Sequence, residues 1–420
     1  MSDRTVFVSV DVKAGPSLAG RLWSRLRKGR ETATFEYDRA WLEHPQRFAL
    51  EPALSLGAGP IHTAADQTTF GALGDSAPDR WGRVLMRRGE RRRAEKEGRQ
   101  PRTLAEVDYL LMVDDEARQG ALRFSEQPGG PFLAEPGEAR IPPLVELPRL
   151  LSASARVVAE TDTDEDLRLL LAPGSSLGGA RPKATVRDRD GHLLVAKFPH
   201  QNDEVDVELW EAVALSLARE AGIHVPEWRI ERISGKSVLL LRRFDRTVTE
   251  RIPFLSAMSM LGARDHEPRS YLEIADAIRR YGAQPKADLQ ALWRRMVFNV
   301  LVSNTDDHLR NHGFLYVGGQ GWQLTPAYDL NPVPIDVKDR LLTTSIIPDD
   351  PTASLELALA HAEYFELDAA EAKQIAGAVG LAVSVWRDWA GQLGASGSAI
   401  KRMESAFEHR DLELALAIGG

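Results

Sequence analysis

Asp306, Asn311 and Asp329 are the side chains best suited to do chemistry together. The first two stand in Asn304-Thr305-Asp306-Asp307-His308-Leu309-Arg310-Asn311, and the third follows a short hairpin pattern in Ala327-Tyr328-Asp329-Leu330. A carboxylate, an amide five residues later and a second carboxylate past two strands is the order in which phosphoryl-transfer enzymes of the protein-kinase type hold a hydroxyl acceptor and Mg-ATP. Such transfer relies on positioning and charge neutralisation. It needs a phosphate cradle, a cation on the phosphates, a carboxylate at the acceptor hydroxyl and oxygen ligands for Mg2+. Asp306 suits the hydroxyl, and Asn311 and Asp329 offer hard oxygens to the metal. The Asp306-Asp307-His308 triplet also has a spacing that metal ligands use. A metal hydrolase would want more imidazoles than this chain's 10 His arrange, and there is no H-E-x-x-H pair.

The cradle and the cation have candidates upstream. Pro173 to Lys183 is glycine-rich and carries Gly178, Gly179 and Ala180, followed by the cations Arg181 and Lys183. It is neither a Walker motif nor G-x-G-x-x-G, so it reads either as an ordinary turn or as a small-residue loop that lets backbone N–H groups approach phosphate. The strand Ala184 to Arg187, the turn Asp188-Arg189-Asp190-Gly191 and the strand His192 to Pro199 then make a hairpin with Lys197 near its end. Lys197 is either a solvated strand-end lysine or the small-lobe lysine that touches ATP phosphates. Glu211, or failing that Glu208, is the helix carboxylate expected to hold it.

The positioning elements follow from periodicity. Strands are expected at Thr5 to Val12, Ala33 to Tyr37, Trp228 to Ile233 and Lys236 to Leu241, and a hairpin at Phe314 to Val317 with Trp322 to Leu324. Helices are expected from Ser76 onward, over Leu144 to Leu171, over Val205 to Ala221 and from Ser354 to the end. Ser270-Tyr271-Leu272-Glu273 is a capping box. Leu289, Leu292, Trp293, Met296, Val297, Val300 and Leu301 recur at helical spacing and deliver the chain to Asn304. The basic run Arg87 to Arg102 is read as a solvated helix face, with a nucleic-acid or partner contact as the alternative. Glu126 to Pro148, rich in Pro, Gly and Glu, marks a boundary. Three domains are expected, over 1–140, 141–247 and 248–420.

Composition bounds the rest. The chain has 420 residues, 43% hydrophobic and 27% charged, which fits a folded globular protein. A net charge of -8 speaks against nucleic-acid binding by overall electrostatics, so any DNA contact is expected to be local or through a partner. The absence of Cys excludes disulfides, thiolate metal sites and a thiol nucleophile. The N-terminus lacks a signal-peptide profile, and the apolar-rich run Ile375 to Trp386 is too short for a membrane span. A cytoplasmic protein with no membrane partner is expected.

Ser175-Ser176-Leu177-Gly178-Gly179-Ala180-Arg181-Pro182-Lys183, Arg243-Phe244-Asp245-Arg246, the Asn304–Asn311 run and Thr325-Pro326-Ala327-Tyr328-Asp329 together resemble the HipA family of bacterial serine/threonine kinase toxins. Phe70-Gly71-Ala72-Leu73 through Arg80 and Arg83 resembles that family's N-terminal subdomain, so the likeness spans almost the whole chain. It implies an α+β, two-lobed protein-kinase-like fold with an N-terminal β-containing subdomain and a mostly helical C-terminal lobe. It implies ATP and Mg2+ as cofactors, Asp306 as catalytic aspartate, Asn311 and Asp329 as metal pair and Lys197 on ATP. Arg242, Arg243 and Phe244 match the lobe-linking segment that holds adenine, and His308 and Tyr328 join the cofactor-contacting set. Ser176, with Ser175 as alternative, matches the autophosphorylated serine. The resemblance also implies a HipB-type DNA-binding antitoxin and a protein substrate, in known members an aminoacyl-tRNA synthetase. The rival readings are a small-molecule or lipid kinase on a related fold, and a catalytically silent module that holds antitoxin or DNA. Arg181-Pro182 stands where the best-known member type has Gln-Glu, and Arg242 where an acidic residue is frequent.

Overall fold

A computed structural model describes residues 3–13, 15–133, 141–171, 179–319 and 321–419. The chain divides into two compact units. One comprises Met1–Asn202, Ile233–Lys236 and Leu240–Leu255, the other Asp203–Arg232, Ser237–Leu239 and Ser256–Gly420. The expected boundary near residue 140 falls inside the first unit.

The first unit opens with an antiparallel sheet of β1 (Asp3–Val12), β2 (Gly15–Arg27), β3 (Arg30–Tyr37), β4 (Ile61–His62) and β5 (Leu122–Ser125), in the order β4-β3-β2-β1-β5. Val6, Val8 and Val10 are fully buried in β1, whereas β2 alternates exposed Arg21 and Arg25 with buried Leu22 and Ser24. That alternation is what a sheet with one wet face requires. Gly20 fits there because a Cβ would lie 2.4 Å from Glu36 O and 2.5 Å from the Phe35 ring. The helix Arg80–Lys96 is capped by Asp79, whose side chain accepts from Gly82 N at 2.7 Å. Its cations pair inside the unit: Arg88 with Asp162, Arg92 with Asp162 at 3.2 Å and Asp164 at 3.5 Å, Lys96 with Asp164. The basic run therefore serves largely as an internal ion-pair face.

The single helix expected over Leu144 to Leu171 is two, Leu147–Val158 and Asp164–Leu171, parted where Glu160 takes a left-handed φ of 59°. β6 (Lys183–Arg187) and β7 (Leu193–Lys197) form the expected hairpin, with Lys183 opposite Lys197. β8 (Trp228–Ile233) and β9 (Lys236–Arg242) follow as expected, joined through Ser234 and Gly235 at φ 51° and 78°.

The second unit is helical around Pro285–Leu301, which starts on a proline at its first position. Leu289, Leu292, Trp293, Met296, Val297, Val300 and Leu301 are all completely buried. Val207–Glu220, Tyr271–Tyr281 and Ala369–Ser384 are further helices of this unit, and the expected capping box at Ser270 and Glu273 is present. Trp386 stacks on Phe407 with ring centroids 4.5 Å apart. The hairpin Gly313–Tyr316 with Trp322–Leu324 pairs Phe314 with Leu324. Among the described residues no helix is long and apolar enough to cross a membrane.

Candidate active site

The central helix ends at Leu301, and Ser303 turns the chain at a left-handed φ of 52°. The catalytic-loop candidate that follows is held by buried polar groups. Asn304 Nδ2 donates to Asn299 Oδ1 at 3.1 Å, and Asn299 Nδ2 donates to the Tyr271 hydroxyl at 3.0 Å. Tyr271 in turn donates to Asp307 Oδ2, which also accepts from His312 Nε2 at 2.8 Å. Burial opposes charge on Asp307, yet His312 and the Tyr271 hydroxyl outweigh it and hold its carboxyl below the usual range. The Asp307 carboxylate is thus committed inside the protein, which removes the metal-ligand reading of the Asp306-Asp307-His308 triplet. His308 is half-buried, and its Nδ1 is enclosed without a hydrogen-bond partner among the described residues.

Asp306 is the contrast. Flanked by buried Thr305 and Asp307, its side chain is 70% exposed, and Lys338 Nζ lies 3.6 Å from Oδ1. Asn311 Nδ2 contacts Asp306 O at 3.4 Å, which leaves the amide oxygen as the atom to offer a metal. The Asp329 segment is stitched to the same loop: Tyr328 donates its hydroxyl to Arg310 O at 2.7 Å, Asn331 N to Asn304 Oδ1 at 3.4 Å and Val333 N to Ser303 O at 3.2 Å. Asp329 has a φ of 59°, in the left-handed region that aspartate adopts more readily than most residues bearing a side chain. Behind the loop, buried Arg295 donates to Thr325 O, and burial brings its pKa down to about 10.

The other predicted residues belong to the first unit. Lys197 ends β7 half-buried, Ala180 is exposed and Arg181 is half-buried. Gly179 has a φ of 96°, so the glycine is required there. Lys183 differs from expectation. Its ammonium sits 3.1 Å from Asp79 with both side chains 4% exposed, so its charge faces inward. Arg243 differs likewise: its guanidinium donates to Asp245 at 2.9 and 2.6 Å, to Ala117 O at 2.6 Å and to Arg118 O at 3.1 Å. The Arg243 guanidinium is scaffold, and the Lys183 ammonium is held at Asp79. Arg242 lies 2.9 Å from the His192 ring, and the Phe244 and Phe254 rings are 6.3 Å apart. Glu208 and Glu211 are both buried on the helix Val207–Glu220, so burial does not choose between them. Ser175, Ser176 and Gly178 lie outside the described residues.

Residues 175–386 match the model of the HipA-like C-terminal domain, half of the chain. The chain belongs to the HipA-like family. A Sinorhizobium fredii family relative named "Putative kinase Y4mE" is 27% identical over 331 residues, covering 70% of this chain and 71% of its own. A Haemophilus influenzae protein named "Putative kinase" is 24% identical over 200 residues, 41% of this chain and 58% of its own. The HipA chain in the complex of the Shewanella oneidensis toxin–antitoxin system, HipA, HipB and operator DNA superposes with a TM-score of 0.65 at 15% identity, covering 99% of this chain and 96% of that one. At that identity the likeness is one of fold, and the α+β architecture expected from the sequence is the HipA architecture.

Proposed function

We propose that this member of the HipA-like kinase family is an ATP-dependent serine/threonine protein kinase acting as a HipA-type toxin. Asp306 carries the reading: an exposed carboxylate on a peptide whose two neighbours are immobilised in the protein interior. A general base must reach solvent and substrate while its backbone stays fixed. Asp306 would take or orient the proton of the acceptor hydroxyl. The donor set fits Mg2+, which takes hard oxygens from one or two protein groups plus substrate phosphates. Asn311 and Asp329 would hold it, and when bound it would neutralise charge on the nucleotide. Lys197 would meet the ATP phosphates, the Gly178–Gly179–Ala180 segment with Arg181 would approach them, and Arg242 to Phe244 would border the adenine. His308 and Tyr328 would add nucleotide contacts from the second unit.

Autophosphorylation would fall on Ser176, or on Ser175, where a phosphate adds about -1.5 to -2 charge beside the nucleotide loop and opposes ATP. The family fold and the composition of the Shewanella complex support a HipB-type antitoxin as partner, with DNA reached through it. A cytoplasmic protein, such as an aminoacyl-tRNA synthetase, would be the substrate. Incubation with Mg2+ and terminally labelled ATP tests the reading. Label should appear on the chain itself, fall by about 10²- to 10⁴-fold in Asp306→Ala, and move or vanish in Ser176→Ala. Undiminished labelling of Asp306→Ala would remove the proposal.

A further inference from the structure

Beyond Asp329 the chain returns to the catalytic loop and is clamped against it. The turn from Pro334 closes through Val337 N and Lys338 N, which donate to Pro334 O at 2.9 and 3.2 Å. Arg340 then donates to Val300 O at 2.8 Å and to Ser303 Oγ at 3.2 Å, with Asp411 at 2.7 Å on its other side. Thr343 donates to Thr305 O through its N–H at 3.1 Å and its hydroxyl at 2.9 Å. Between these anchors Lys338 extends Nζ to Thr305 O at 3.3 Å and to Asp306 Oδ1 at 3.6 Å. Lys338 remains 43% exposed and Asp306 70%, so both stay open to a ligand.

As a surface ion pair this contact would contribute little to stability, so stability does not explain a lysine placed beside Asp306 on so firmly anchored a segment. From this placement we infer that Lys338 is a positioning cation for phosphoryl transfer: it orients the Asp306 carboxylate and offsets charge on the phosphoryl group as it passes. The inference rests on the kinase reading above. In the transfer the acceptor oxygen bonds to the γ-phosphorus, and the bond from that phosphorus to its bridging oxygen breaks with its electron pair left on ADP. The hydroxyl proton goes to Asp306. Negative charge gathers on the phosphoryl oxygens beside a carboxylate that is itself negative. A fixed ammonium is worth most at that moment. A lysine, as a compact point charge on a long stem, can serve carboxylate and phosphoryl in turn.

The test measures self-labelling by ATP and Mg2+ in the full chain and in Lys338→Ala, Lys338→Arg and Asp306→Ala. Lys338→Ala should lower the rate constant at saturating ATP by about 10- to 100-fold, as loss of one preorganised transition-state donor does. Half-saturating ATP and the melting temperature should be unmoved, and Lys338→Arg should restore most of the rate. Binding of Mg-ADP with and without aluminium fluoride, a mimic of the phosphoryl group in flight, gives the second readout. Lys338→Ala should weaken the fluoride complex by tenfold or more and leave Mg-ADP affinity intact. An unchanged rate, a change in half-saturation alone, or a lost rate with full fluoride-complex affinity overturns the assignment. If wild-type protein labels itself, Asp306→Ala does not and Lys338→Ala does so at full rate, only the lysine inference falls. Wild-type protein that never labels itself removes the kinase reading with it.

Discussion

Asp245 in the first unit and Asp306 in the second are both aspartates in runs of charged residues, and the protein uses them in opposite ways. Asp245 is wholly buried and receives Arg243 through two nitrogens and Gly120 N at 2.8 Å. Around it Arg118 and Arg246 are so enclosed that burial brings each down to about 9. Asp306 stands mostly in solvent, on a loop held from behind by Asn299, Tyr271, His312 and Arg340. Charges whose hydrogen bonds all close within the protein hold a fold together. Exposed charges on an immobile backbone are the ones left to act on something else.

Removing the buried partner should give the larger effect. Asp245→Ala leaves the Arg243 guanidinium in the interior without its carboxylate, which costs about 3–5 kcal/mol. A fall of roughly 10 °C in melting temperature, at about 2–4 °C per kcal/mol for a unit of this size, is the expected calorimetric result. Asp306→Ala should leave the melting temperature where it was. Were Asp245→Ala to melt normally and lose only self-labelling, the division between scaffold and site would be wrong.

That division also separates what the residue order makes visible from what it hides. The helix Pro285–Leu301 and the hairpin Gly313–Tyr316 with Trp322–Leu324 are local patterns, and each folds as its spacing predicts. β2 escaped because Arg21, Arg25 and Arg27 dominate its composition, although their alternation with Leu22, Ser24 and Leu26 is a strand signal. The scaffold role of Arg243 is not local at all, since Ala117 lies 126 residues earlier in the chain. A cation at that position reads equally well as a ligand contact until its partners are known. Lys338 is hidden for the same reason: it meets Asp306 only because a turn after Asp329 folds back.

The two units should also answer pH in opposite senses. Burial raises Glu51 in the first unit to about 7, while backbone N–H donors at Ala72 and Gly71 only partly counter it. The folded state then holds a proton that the unfolded chain, titrating near 4.5, has released, so stability present below that value is lost as pH rises towards 7. His409 in the second unit is lowered to about 4 by burial and by Arg340. Its neutral form is kept in the fold, so stability present above pH 6.5 is lost as pH falls towards 4. Each change is worth about 2 kcal/mol between pH 5 and 7. Glu51→Gln should steepen the loss of melting temperature on acidification, and His409→Gln should flatten or invert it. Equal slopes in both variants would break the contrast.

A further test concerns the support of the loop rather than its charge. Tyr271→Phe removes one hydroxyl that donates to Asp307 and accepts from Asn299. Both partners stay buried, so the variant should lose about 1–3 kcal/mol, the cost of buried polar groups left short of a hydrogen bond. His312 still reaches Asp307, and Asn299 Oδ1 still receives Asn304, so the loop should survive in a looser form. Misplacement by a fraction of an ångström should then slow self-labelling by about tenfold, with half-saturating ATP little changed because Tyr271 is wholly buried. A variant that loses stability but labels at full speed would show that Asp306 tolerates a loose backbone. In that case rigidity would not be what distinguishes it from Asp245, and exposure alone would remain.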